Sequence, residues 1–174
     1  MVSMLEIKDL RVIYKVGKKV AKALNGETFS IGRGEALGLV GESGAGKTTT
    51  ALSIMKLLPE RNARIIDGSI VFDSVDIITA NEAQMKKLRG KEIAMVFQNP
   101  LTSLNPVFTV GEQIDVVLRK HTKLSAKERK TRIYELLEAV GINRVRIDDY
   151  PHEFSGGMRQ RVGIAAALAC NPSL

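Results

Sequence analysis

Residues 41–48 read Gly41-Glu42-Ser43-Gly44-Ala45-Gly46-Lys47-Thr48 and fit the pattern G-x-x-x-x-G-K-[ST] at every fixed position. The pattern constrains the fold because it works only between a strand and a helix. Ala36 to Val40 is a short apolar run bounded by Gly34 and Gly41, which predicts a buried parallel strand. Thr48 to Leu58, closed by Pro59, predicts the helix that follows. The glycines let the backbone curl so that successive N–H groups converge at the positive end of that helix. Such a concavity suits a β-phosphate. Lys47 then places its ammonium between the β- and γ-phosphates, and the Thr48 hydroxyl suits Mg²⁺. GTPases, kinases and ATPases share this loop, but the chain has no Asn-Lys-x-Asp guanine motif.

Composition narrows the class further. With 174 residues and 44% hydrophobic content, the chain has the material for one globular domain. The 26 Lys+Arg against 19 Asp+Glu give a net charge of +7, densest from Arg119 to Arg132. That stretch has helical amphipathic spacing, so a solvated basic face accounts for it and nucleic acid is not the expected partner. Glu6, Lys8 and Asp9 interrupt the place where an uncharged signal core would lie. No run approaches the roughly 20 apolar residues of a membrane span, so a cytoplasmic protein is expected. Cys170 is the single cysteine and sits in an Ala-rich run, which predicts a buried thiol rather than a disulfide. His121 and His152 read as structural or surface residues.

Periodicity divides the chain at about Thr109. Before it lie β segments: Leu5, Ile7 and Val12 to Tyr14, then Glu27 to Ile31, Ile70 to Phe72 and Ile93 to Phe97. After it come helices opened by two capping boxes, Thr109 with Glu112 and Ser125 with Glu128. Their apolar positions, such as Val110, Ile114, Val117 and Leu118, lie on one side. A last helix is predicted from Gly156 to Ala169, stopped by Asn171 and Pro172. Ser155 can cap it, while Gly156 and Gly157 leave its first amides uncovered.

Phe154-Ser155-Gly156-Gly157-Met158-Arg159-Gln160 resembles the signature sequence of the ATP-binding-cassette family, and Met95-Val96-Phe97-Gln98 resembles that family's Q-loop. Gln98 follows Lys47 by about the family's spacing of fifty residues. The stretch from Phe97 to Ile114, with Asn99-Pro100-Leu101-Thr102-Ser103-Leu104-Asn105-Pro106, looks most like the oligopeptide, dipeptide and nickel uptake branch. So do Tyr150-Pro151-His152 and Met158-Arg159-Gln160-Arg161. The resemblance covers essentially the whole chain.

The resemblance implies an α/β P-loop NTPase fold: a RecA-like core with an N-terminal antiparallel β segment and an inserted helical subdomain, incomplete at the C-terminus. Residues 1–174 would form one nucleotide-binding domain, with 1–100 and 155–174 as core and 101–154 as helical subdomain. ATP and Mg²⁺ are the implied cofactors. Gly41 through Thr48, with Thr49, would hold the phosphates, Tyr14 would lie against adenine, and Thr48 and Gln98 would touch Mg²⁺. Two subunits would meet head to tail, each ATP capped by Ser155-Gly156-Gly157 of the other. The helical subdomain would meet membrane permease subunits at the inner face of the cell membrane, with an extracytoplasmic solute-binding protein engaged indirectly. In the family an apolar strand follows the position of Leu174 and lies between the P-loop and Q-loop strands. It brings the Mg²⁺-binding Asp, the catalytic Glu and later the switch His, none of which this chain contains. Residues 36–40 and 93–97 would then have unpaired apolar edges. Two other classes remain open at this point: a soluble cassette ATPase acting on nucleic acid or ribosomes, and a nucleotide-binding module without turnover.

Overall fold

The computed structural model describes residues 3–98 and 104–174. The chain divides into two compact units, Met1–Met85 and Lys86–Leu174. The first is built on a four-stranded antiparallel sheet in the order β2-β1-β3-β4. Its strands are β1 (Ser3–Val16), β2 (Lys19–Gly32), β3 (Ala63–Phe72) and β4 (Val75–Asp76). Helix α1 (Lys47–Ile54) lies between β2 and β3 in sequence, and α2 (Glu82–Leu88) follows β4.

The opening β segment read from Leu5, Ile7 and Val12 to Tyr14 is the single strand β1, with a bulge in it. Leu5 and Ile7 are buried, and so are Leu10 and Val12, so the buried parity changes between Ile7 and Leu10. The register shifts at the same point against both neighbours, and Asp9 takes φ 44°. An extra residue in one strand keeps apolar side chains on one face after the shift. The Asp9 amide donates to Thr28 Oγ1 at 2.8 Å. Opposite the bulge Gly68 has φ +94°, and a Cβ there would lie 2.5 Å from the Asp9 carbonyl oxygen. Only glycine fits so close a backbone crossing.

Turn chemistry fixes the hairpins. Gly17 (φ 61°) opens the two-residue connection between Val16 and Lys19. Asp73 (φ 42°) and Ser74 (φ 68°) link Phe72 to Val75 with both central residues left-handed, the conformation a tight β3–β4 turn needs. Arg33 donates to both carboxylate oxygens of Asp73, at 2.7 and 2.8 Å, and ties the end of β2 to that turn.

Helix α1 stops at Ile54, four residues before its predicted end. Lys56 takes φ 49°, its amide donates to the Ser53 carbonyl at 3.0 Å, and the Leu57 amide donates to that of Leu52 at 2.8 Å. This Schellman pair closes the helix with lysine in the place usually held by glycine. The Lys56 ammonium reaches the carbonyls of Ile78, at 2.7 Å, and Ala80.

Ala36–Val40 and Ile93–Phe97 are not strands, which corrects the sequence expectation. Residues 36–40 carry no regular structure, with Leu37 and Leu39 each 44% and Val40 94% exposed. Ile93 makes one parallel bridge with Arg89, and the Ala94 amide donates to the Leu174 carbonyl at 2.8 Å. A strand exists only through its ladder. Among the described residues no strand lies beside either segment to supply one.

The second unit is helical. Helices α3 (Val110–His121), α4 (Ala126–Ala139) and α5 (Gly156–Ala167) surround a core that includes Ile114, Leu118, Leu137, Phe154 and Val162. Both predicted capping boxes form, Thr109 with Glu112 and Ser125 with Glu128. Asp115 of α3 pairs with Arg129 of α4 at 2.6 Å. Helix α4 ends in a second Schellman pair at Gly141 (φ 70°), with Ile142 N–H donating to Leu137 at 2.8 Å. Two 3-10 turns, Arg144–Asp148 and Pro151–Glu153, lead into α5 and were not anticipated. Cys170 is half-buried against this core rather than fully enclosed, and burial raises its pKa.

Candidate nucleotide-binding site

The loop between β2 and α1 has the shape its sequence demands. Gly44 (φ +85°) and Gly46 (φ +91°) both adopt the left-handed region, and the Ala45 amide donates to the Glu42 carbonyl at 3.1 Å. Gly46 is the N-cap of α1 and the turning point of the loop. A Cβ there would stand 2.5 Å from Leu24 Cδ2 and 2.7 Å from the Ala23 carbonyl oxygen. The second glycine of the motif is therefore dictated by contact with β2 as well as by its dihedral angle. Gly41 to Ala45 and Thr48 are exposed, while Lys47 and Thr49 are half-exposed.

Lys47 folds back over the loop. Its ammonium donates to the carbonyls of Gly41 at 2.6 Å and Glu42 at 2.7 Å. Both acceptors are neutral, so an anion entering the loop offers the cation a stronger partner. The first amides of α1 have no intrahelical acceptor and carry the positive end of the helix dipole. Lysine, amides and left-handed glycines together form an anion nest that suits a nucleotide phosphate chain.

Beneath this nest lie two residues that the sequence reading did not select. Thr50 is fully buried, and its hydroxyl donates to Glu27 Oε2 of β2 at 2.7 Å. The same hydroxyl lies 3.2 Å from the Gly46 carbonyl, which also accepts the Thr50 amide at 2.9 Å. The signal for this pair in the sequence is a carboxylate, Glu27, within a half-buried strand.

Tyr14 is half-buried in the central strand β1, with Ala21 of β2 and Ala63 of β3 as its ladder partners. Gln98 is exposed in a bend, and the adjoining Asn99 to Ser103 lie outside the described residues. Ser155 caps α5, accepting the Met158 amide at 3.4 Å. A Cβ on Gly156 or Gly157 would meet nothing within 4 Å, so the start of α5 is open. Arg146 steadies that end: its guanidinium lies 4.2 Å from the Phe154 ring centroid and donates to the Glu153 carbonyl at 3.0 Å. The loop at residues 41–49 belongs to the first unit, Gln98 and Ser155 to the second.

A P-loop of this form, between an antiparallel sheet and α1, marks a P-loop nucleotide-binding protein. A family model described as ABC transporter matches residues 24–174, and the chain belongs to that family. It is 49% identical over 173 residues to the oligopeptide transport ATP-binding protein OppD of Bacillus subtilis, covering 98% of this chain and 48% of that protein. It is 41% identical to the dipeptide transport ATP-binding protein DppD of the same organism, covering 100% of this chain and 52% of the relative. The chain thus spans about half the length of the curated relatives it matches. Among solved structures it resembles the dimeric, post-hydrolysis ATP-binding cassette MJ0796 bound to ADP and Pi. That likeness has a TM-score of 0.87 and 30% identity, over 97% of this chain and 71% of the other. The fold is that of ABC ATPase cassettes, an α/β P-loop NTPase architecture represented here by its antiparallel sheet, P-loop helix and helical unit.

Proposed function

We propose that this chain is the ATP-binding part of an ABC importer subunit, coupling ATP binding and hydrolysis to the uptake of peptides or a related solute. The observation that carries the reading is the Gly41–Thr49 nest with Lys47 held over it by two neutral carbonyls. Similarity to peptide-transport ATP-binding proteins at 41% to 49% identity supports the importer assignment over a nucleic-acid or ribosome ATPase.

Phosphates entering the nest take over the Lys47 ammonium and the first amides of α1. Tyr14 stacks on the base. Among the described residues no cluster of three His, Cys, Asp or Glu offers a metal site. Thr48, through its hydroxyl, and Gln98 are the residues that would serve Mg²⁺, a cation that keeps much of its hydration and needs few protein ligands. The ion would supply neutralisation of phosphate charge. Ser155, Gly156 and Gly157 present an open helix start to the ATP of a second ATPase subunit, which makes turnover a property of the dimer. Residues 1–100 and 155–174 serve as nucleotide-binding core and 101–154 as the helical subdomain that meets permease subunits on the inner face of the membrane. An extracytoplasmic binding protein delivers the solute. No helix among the described residues is long and apolar enough to cross a membrane.

Calorimetric titration with Mg-ATP tests the site. Lys47→Ala, checked for native circular dichroism, loses at least tenfold in affinity, because the one side-chain cation of the nest is gone. Unchanged affinity in the folded variant refutes the assignment. Co-purification with a permease rather than with nucleic acid tests the importer reading separately.

A further inference from the structure

Resting on the P-loop reading above, we infer that Glu27 is a positioning residue for phosphate binding, acting through Thr50 on the turn at Gly46. The two residues come from different elements, β2 and α1, and meet directly beneath the point where the loop becomes helix. Thr50 is fully buried and donates its hydroxyl hydrogen to Glu27 Oε2 at 2.7 Å. The hydroxyl has a competing acceptor, the Gly46 carbonyl at 3.2 Å, one turn back on the same helix. Bonding of a threonine hydroxyl to that carbonyl bends a helix. Glu27 draws the hydrogen away and leaves the Gly46 carbonyl to the Thr50 amide at 2.9 Å. The first turn of α1 is thereby held straight and tied to the sheet.

The wall around Gly46 makes the tie matter. Glu27 Oε1 lies 3.6 Å from the position a Gly46 Cβ would take, and Leu24 Cδ2 and the Ala23 carbonyl lie 2.5 and 2.7 Å from it. Three residues of β2 thus bracket the residue whose left-handed φ aims the amides of the nest. The carboxylate also stands at the positive end of α1, where its charge is favoured. Placing an anion there has a drawback, since it repels the phosphates the nest receives. A hydrogen-bonding role and a charge role therefore predict opposite effects for removal of the charge alone.

The experiment uses the whole chain with Mg-ATP and Mg-ADP as probes in calorimetric titrations. Glu27→Ala and Thr50→Val each weaken both nucleotides about tenfold, the factor expected for one hydrogen bond to a charged group. Their combination is no weaker than either alone, because the two act through a single bond. Glu27→Gln keeps an acceptor for Thr50 and restores affinity to within about threefold. Lys47→Ala, run alongside, loses more for ATP than for ADP, since the lysine reaches the γ-phosphate. Native affinity in Glu27→Ala with Lys47→Ala impaired overturns this inference and spares the site. Additive losses, or a Glu27→Gln variant that binds more than tenfold tighter than the native chain, overturn it as well. If Glu27→Ala fails to fold, Thr50→Val and Glu27→Gln decide: native affinity in the former, or an alanine-like loss in the latter with a native melting curve, is equally fatal.

Discussion

Replacing the two left-handed glycines of the P-loop one at a time separates backbone strain from packing. Gly44 and Gly46 have nearly the same φ, +85° and +91°, but different surroundings. An added Cβ on Gly44 meets nothing within 4 Å, whereas one on Gly46 meets Leu24 Cδ2 at 2.5 Å and the Ala23 carbonyl oxygen at 2.7 Å. A left-handed conformation costs an L-residue about 1–2 kcal/mol. Gly44→Ala should therefore cost about that and no more. Gly46→Ala carries the same strain and adds forced displacement of β2 backbone, which for overpacked sites costs about 1–3 kcal/mol. The leucine methyl can rotate away, but the carbonyl is fixed by the sheet, so the larger total of about 2–5 kcal/mol is expected. Urea unfolding without nucleotide, followed by circular dichroism, measures both. The midpoint for Gly46→Ala should fall well below that for Gly44→Ala at similar m-values. Equal midpoints would show that β2 does not wall the loop in solution.

Other outcomes follow from particular contacts. Gly111→Ala places a Cβ 2.8 Å from the Ile147 carbonyl oxygen and should destabilise the helical unit by about 2–4 kcal/mol while leaving Mg-ATP affinity unchanged, which paired unfolding and titration experiments would read. Burial, with help from Lys120 and Lys91, lowers the pKa of His121. Its contribution to stability is thus full above the ordinary value of about 6.5 and is lost as pH falls from there towards the folded pKa, so His121→Gln should flatten that part of the stability–pH curve.

The features legible from sequence are those whose hydrogen bonds close within a few residues. The Thr109 and Ser125 capping boxes formed as read, because a hydroxyl and a carboxylate three residues apart satisfy each other whatever the rest of the chain does. Ser155 caps α5 equally locally, its hydroxyl accepting the Met158 amide without a reciprocal carboxylate. The P-loop was legible because each fixed residue answers a local need, left-handed φ at Gly46 and a cation at Lys47. Its support was not. The bond between Thr50 and Glu27 spans 23 residues and depends on the sheet placing β2 against α1. The bulge at Asp9 escaped notice because its cause, the glycine it crosses, is 59 positions further along, at Gly68.

The two segments read as core strands show the same limit from the other side. Leu37, Leu39 and Val40 have the apolar character of a buried strand, as do Val96 and Phe97, yet all five are 44% exposed or more. Residue choice here specifies a side-chain environment, not a conformation. A helix such as α3 makes its own hydrogen bonds and needs neighbours only to cover one face, so amphipathic spacing suffices to predict it. A parallel strand needs a partner from a distant part of the sequence before any of its amides is satisfied. β1 has two such partners, in β2 and β3, and runs for fourteen residues despite a bulge. Residues 36–40 have none among the described residues, and their apolar side chains alone do not hold them in a sheet.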